Sequence, residues 1–430
     1  MKRLLIGALA VVTAIAAWAL PAPDTATGAV PQLPELPETG QRSSVWFCPG
    51  VDGEVDPILT TSLASTGLAS FSLPSAGEVI DGFQTRVEPG IADWDVGDVL
   101  LFHPGPAIVE TSTTPSAAAV VFRGPAQVAT TGCNTPAKEW FFTGGRSGPA
   151  EVFTLRLFNP LLEQGRVTIQ VNTEFGFEPL LDLESINVSP RDWVDVPLSL
   201  VLGDREQLAV QVAVTEGVVI PSLSIVSPSG LAVWPGESPS PVWEFPLAQV
   251  AGTSGTISIW NPGTEAADVT IELMGRRGPI GLFELTVGPS REERFAISPT
   301  TSLEAGAVVR SSGGVVAAVI SEGADGLAGA AGSPRAATRW LVPGHGVAGG
   351  LASFVFVLNS GDEPVEVEAG PVGAEPTSTA SVPGHAIARL EITGRGAEIS
   401  ASGPVSVAWA AVGPADIGLS RGTPLEAVVP

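Results

Sequence analysis

The sequence has no tyrosine, and its 430 residues include only two cysteines, two methionines, three histidines and two lysines, against nineteen arginines. Each shortage excludes something. With Cys48, Cys133, His103, His345 and His385 as the whole stock of cysteine and histidine, no zinc site with the usual ligand spacing is expected. His345 and His385, in P-G-H-G and P-G-H-A, could converge as two ligands. No cysteine or carboxylate stands at ligand spacing beside them, so turn histidines are the expectation. Charged residues are only 15% and the net charge is -24, which sets the chain against nucleic acid and anionic lipid as partners. The absent tyrosine and scarce lysine read as the codon bias of a GC-rich genome.

Catalytic signatures are missing too. There is no G-x-S-x-G elbow, no H-E-x-x-H pair and no glycine-rich phosphate loop leading into a helix. Carboxylate pairs such as Asp182 with Glu184, or Glu292 with Glu293, are what chance supplies among 45 acidic residues. V-D-G-E-V-D (51–56) lacks the glycine position and downstream glutamate of a calcium loop and reads as a solvated acidic turn, and R-E-E-R (291–294) reads as a solvated charged face. The expectation is a non-enzyme without cofactor or metal.

What is abundant is turn chemistry: 50 glycines and 39 prolines, suited to short strands joined by many reversals. Lys2 and Arg3 precede an uncharged run from Leu4 to Leu20, the layout of a secretory signal (1–20). Cleavage after Ala19 and retention as an N-terminal anchor both remain open, and either exports the remainder. No later stretch approaches membrane-spanning length. Residues 21–43 carry five prolines and no hydrophobic period, an extended spacer. In an exported chain the cysteine pair Cys48 and Cys133 is expected to form a disulfide closing a loop of about 85 residues.

Four blocks follow, at 44–137, 138–239, 240–336 and 337–430. Each opens on a tryptophan, Trp46, Trp140, Trp243 and Trp340, spaced 94, 103 and 97 residues apart. Asn159, Asn261 and Asn359 fall 19, 18 and 19 residues later in tight-turn sequences, with Ser65 read at that position in the first block. Around them apolar residues alternate with polar ones, as in Ile257 and Ile259, then Val269, Ile271 and Leu273. Prolines recur at 89, 190, 289 and 383 and turn glycines at 124, 217, 314 and 403. About seven such strands per block predict an all-β chain, a tandem array of four immunoglobulin-like sandwiches in a row. Residues 227–241, rich in proline, read as a semi-rigid joint and residues 323–338 as a looser one. Trp234, in the first joint, is the tryptophan most suited to contact a ligand, because an exposed indole can stack on a sugar ring. The repeating tryptophans and asparagines read as structural.

The W-F-C-P-G opening after a signal segment, followed by W-F-F-T-G-G, the N-P turn and a W-x-x-P block, resembles the actinobacterial secreted proteins grouped as domain of unknown function family 5719. The resemblance implies an envelope or secreted protein and supplies no activity. The role expected is a non-catalytic structural or interaction protein of the cell envelope, touching the membrane only through its N-terminal segment, with an envelope protein as partner. The alternative is a module that binds cell-wall glycan, and a hydrolase stands behind both.

Overall fold

The computed structural model describes residues 44–52, 55–96, 104–125, 127–148, 150–297, 304–323, 326–347 and 350–425. The signal and spacer segments and His103 lie outside them. Ser43–Pro430 is one compact unit. Among the described residues helix is confined to the short segments Leu181–Leu183 and Leu198–Leu202, and no helix is long and apolar enough to cross a membrane.

Repeat 1 comprises β1 (Ser44–Cys48), β2 (Asp56–Leu63), β3 (Gly67–Ser75), β4 (Glu78–Val87), β5 (Gly90–Asp95), β6 (Ala107–Thr111), β7 (Ser116–Arg123) and β8 (Val128–Gly132). Repeat 2 comprises β9 (Glu139–Ser147), β10 (Val152–Asn159), β11 (Gly165–Thr173), β12 (Gly176–Glu178), β13 (Ile186–Val188), β14 (Asp192–Pro197), β15 (Arg205–Glu216), β16 (Ile220–Ser227) and β17 (Gly230–Pro235). Repeat 3 comprises β18 (Ser240–Gln249), β19 (Ser254–Asn261), β20 (Ala267–Gly275), β21 (Gly278–Val287), β22 (Arg291–Ile297), β23 (Ala305–Gly323) and β24 (Gly326–Ala331). Repeat 4 comprises β25 (Ala337–Val342), β26 (Ala352–Asn359), β27 (Val365–Gly370), β28 (Ser378–Val382), β29 (Ala386–Leu390), β30 (Ala397–Val412), β31 (Ile417–Arg421) and β32 (Thr423–Pro424).

The same pairing recurs four times. Repeat 1 packs a sheet β1-β6-β3-β4 on a sheet β5-β2-β7-β8, and repeat 2 packs β9-β15-β11-β12 on β14-β10-β16-β17. In repeats 3 and 4 the long strands β23 and β30 run through both sheets, each doing the work of two strands. Period-two alternation explains the layers: in β20, Val269, Ile271 and Leu273 are buried while Asp268 is exposed. The fold is all-β, four immunoglobulin-like sandwiches in tandem.

The sandwiches do not stand in a row. Strands β8, β17 and β24, which end repeats 1 to 3, and β31, which precedes the two-residue β32 of repeat 4, touch one another in cyclic order, β31 returning to β8, so the four repeats close into a ring. Two of these strands occupy the stretches read from composition as joints. G-L-A-G-A-A resembles a linker because β24, wedged between β17 and β31, packs there with small side chains at five of its six positions.

Strand register moves two other sequence landmarks. Leu63, paired with Ser116 as Asn261 would be with Val315, occupies the asparagine position of repeat 1, rather than Ser65. Gly124 lies between β7 and β8, whereas Gly217 separates β15 from β16 and Gly314 and Gly403 lie within β23 and β30.

Candidate functional site

Each repeat is sealed by its own tail, which bridges back to its first strand at Phe47 with Asn134, Phe141 with Glu237, Glu244 with Ser333 and Leu341 with Thr423. Next to each of the first three bridges, one residue later on the first strand and one earlier on the tail, lies a lock. In repeat 1 it is the Cys48–Cys133 disulfide. In repeats 2 and 3 the same two positions hold Phe142 over Gly236 and Phe245 over Gly332, where a Cβ on either glycine would sit 2.7 Å from the ring. A phenylalanine filling the space above a glycine thus replaces a covalent bond.

The landmark tryptophans Trp140, Trp243 and Trp340 are buried, and Trp243 donates from Nε1 to the Val315 carbonyl at 2.7 Å. Trp46 is half-buried and donates to the Ser116 hydroxyl at 3.2 Å. The residue after each tryptophan reaches into the next repeat. Phe47 meets Phe158 at 6.3 Å between ring centroids, Phe141 meets Trp260 at 5.8 Å, and Leu341 of repeat 4 clusters with Ala117 of repeat 1. In repeat 3 that residue is Glu244, 4% exposed, which accepts hydrogen bonds from the Ser360 and Ser406 hydroxyls of repeat 4.

Asn159, Asn261 and Asn359 each donate from Nδ2 to two or more carbonyls and accept one backbone N–H two residues on, so their amides are saturated within the turn. The R-E-E-R stretch is solvated on one face only, at Arg291 and Glu293. Glu292 is buried against repeat 2, accepting from the Thr143 hydroxyl at 2.8 Å and from Arg294 Nε at 2.7 Å. Burial pushes its carboxyl up more strongly than Arg294 and Thr143 pull it down. Asp52 of the acidic turn pairs with Arg156 of repeat 2, a buried guanidinium that also holds Asp195 through two bonds.

The two candidate histidines have separate partners. His345 is buried, with Nε2 3.0 Å from the Ile392 carbonyl and Nδ1 2.8 Å from the Ser353 hydroxyl. A carbonyl can only accept, so Nε2 carries a proton, and burial holds the pKa of the ring below the ordinary value. His385 lies between Asp362 and Glu272, each at 2.8 Å, and the hydrogen bond to Asp362 raises its pKa. Among the described residues no group of three or more histidines, cysteines or carboxylates could hold a metal ion.

The least expected feature is on the axis. Asp416, wholly buried, accepts four backbone N–H groups, one from each repeat: Leu327 and Ile417 donate to Oδ1 at 2.9 Å, Val128 to Oδ2 at 2.9 Å and Leu231 to Oδ2 at 3.1 Å. These are the first residues of β8, β31 and the second residues of β17, β24. Gly230 and Gly326 stand at the positions equivalent to Asp416, at positive φ of 149° and 137°, and a Cβ on either would run into the carboxylate. Burial raises the Asp416 pKa and the four N–H groups pull it back. Because every donor points at the oxygens, the carboxylate is the form the site accommodates.

Three positions farther along, the same strands place Thr131, Trp234, Ala330 and Ser420 in one layer. Two of these carry hydroxyls, one a methyl and one an indole. They line a cavity of about 150 Å³ with the residues that follow them, Gly132, Pro235, Ala331 and Arg421, and with Trp46 at the side. Trp234 is 1% exposed and its Nε1 has no hydrogen-bond partner among the described residues. Arg421 is held by Glu237 at 2.5 Å and by the Gly332 carbonyl at 3.2 Å. Sequence reasoning picked out Trp234 but placed it in a joint, and nothing in P-A-D-I-G distinguishes Asp416 from a turn residue.

No curated protein matches the sequence. A solved structure described as the tetra-tandem repeat in the extending region of a large adhesion protein aligns over 89% of this chain and 99% of its own, at 11% identity and a TM-score of 0.13. The assignment of the fold therefore rests on the strand pairings. A family model matches residues 109–233 and 227–393, which together span all four repeats in part, and the chain belongs to the Family of unknown function (DUF5719).

Proposed function

We propose that this protein is a non-catalytic, exported component of an actinobacterial cell envelope that binds a partner protein through the outer rim of its ring, with only the N-terminal segment in contact with the membrane. The observation that carries the reading is the distribution of edges. The inner edges are consumed by the ring, while the outermost strands β4, β12 and β21 present Phe83, Phe177, Ile280, Leu282 and Phe283 to solvent. Edge strands are normally guarded by charge, proline or a cover. β21 is ten residues long, its one charged residue is Glu284, and it pairs on one side only. Across the face of the same sheet, over β21, β20 and β23, runs a trough lined by Asp268, Glu284, Thr270, Thr286, Ser311 and Arg310, acidic on balance. An extended segment alternating apolar and basic residues would add to that edge as a further strand. The buried carboxylates Asp416, Glu244 and Glu292 are each engaged in holding repeats together, which supports a role without catalysis.

The test is cross-linking in intact source cells followed by recovery through a C-terminal tag. The same envelope protein should be recovered repeatedly and be lost from Leu282→Lys. Recovery of polysaccharide alone, or of the same protein at undiminished yield from Leu282→Lys, would contradict the proposal.

A further inference from the structure

We infer that the axial cavity is a binding site for a single neutral sugar ring. The cavity and the rim share no residue, so the site stands apart from the protein partner proposed there.

Departure from the fourfold pattern marks the site. Of the four landmark tryptophans, three are packed into their sandwiches, and Trp46 alone is half-buried and lines the cavity. Of the four equivalent axial positions, three hold the small residues Thr131, Ala330 and Ser420, and Trp234 alone is large. Four small residues would leave a bare channel and four large ones would plug it. One indole beside three small residues leaves a void with an aromatic wall.

Its chemistry narrows the ligand. The one charged residue in the lining, Arg421, already has Glu237 and a backbone carbonyl as partners, so an ionic ligand gains no free counter-charge. The hydroxyls of Thr131 and Ser420 make only long bonds, 3.3 and 3.4 Å, to neighbouring backbone carbonyls, and are free to turn toward a guest. A guest that meets the half-buried Trp46 indole with a C–H face and meets hydroxyls and an amide at Asn134 with its own hydroxyls is a pyranose. A void of about 150 Å³ is the size that takes one bare six-membered ring, so a sugar enters with its ring while its outer substituents and any longer chain stay in the mouth.

The test is calorimetric and tryptophan-fluorescence titration of the purified full chain with the methyl glycosides of glucose, galactose, mannose and N-acetylglucosamine, and with phenol as a smaller aromatic probe that carries a single hydroxyl. At least one glycoside should bind with a dissociation constant in the millimolar range or tighter and change the tryptophan emission. Ala330→Leu, which fills the void without touching a hydrogen bond, should weaken it at least tenfold with the thermal midpoint kept. Asn134→Ala should weaken it by a smaller factor. Absence of binding by every glycoside, binding by phenol alone, or undiminished binding to a folded Ala330→Leu would each overturn the assignment.

Discussion

The inner and outer edges of the four sandwiches meet the same physical problem in opposite ways. A sheet edge presents unpaired N–H and C=O groups and invites another strand. At the axis, β8, β17, β24 and β31 shield one another, and their first free N–H groups converge on Asp416. At the rim, β21 is left long, apolar and open on one side. Repetition alone therefore does not fix how an edge is managed. One aspartate in one repeat, with glycines at the matching places in two others, turns four repeats into a closed body.

Removing the aspartate should break this contrast most severely. Asp416→Ala would leave four buried N–H groups without an acceptor, and at roughly 1–3 kcal/mol for each unsatisfied group the loss should exceed about 4 kcal/mol in chemical denaturation. Asp416→Asn, which has one acceptor oxygen and brings an NH2 against two donors, should fall between the variant and the parent. Next comes the disulfide of repeat 1. Cys48→Ser with Cys133→Ser should cost about 4 kcal/mol in the loop-entropy picture for its separation of 85 residues. Cys48→Phe with Cys133→Gly copies the lock of repeats 2 and 3 and should recover part of that loss in the same urea titration.

Smaller effects sharpen the picture of the seams. Glu244→Ala strips two serine hydroxyls of their acceptor and should cost about 2 kcal/mol, read as an earlier denaturation midpoint. The histidines should oppose each other in pH. His345, with its pKa lowered by burial, contributes stability that is complete above the ordinary value of 6.5 and is lost as pH falls through its folded value, at most about 1.4 kcal/mol per pH unit. His385, raised chiefly by Asp362, contributes stability complete below 6.5 and lost as pH rises through its folded value; at the surface this effect is the smaller. Comparing the pH dependence of the thermal midpoint in the parent and in His345→Asn separates the two. Leu282→Lys on the rim should move stability by no more than about 0.5 kcal/mol, since an exposed side chain away from packed features is replaced.

The class of fold was legible because its signals are local. Alternation in stretches such as Thr256–Trp260 and Ala267–Leu273 declares half-buried strands, and recurring turn sequences declare repeats. Ring closure was illegible because it joins residues hundreds of positions apart: the Thr60 hydroxyl with the Pro343 carbonyl, or Val128 N–H with Asp416. The composition that permits closure also disguises it, since G-L-A-G-A-A at the axis reads as a loose joint. Glu292 was misread for a related reason: alternation puts it on a face that looks solvated until a neighbouring repeat covers it. The axial cavity is a property of four strands at once, and no single block could announce it. Its one available signal was the odd tryptophan, Trp234, where the equivalent strands carry small residues.

Closure of the ring is tested most directly by small-angle X-ray scattering from residues 43–430 in dilute solution. A closed body of that length should give a radius of gyration of roughly 21 Å, by the scaling for compact chains. Four sandwiches of such size strung end to end would give about 40 Å. A value near the first, increasing in Asp416→Ala, is the predicted result; a value near the second in the parent chain would contradict the account.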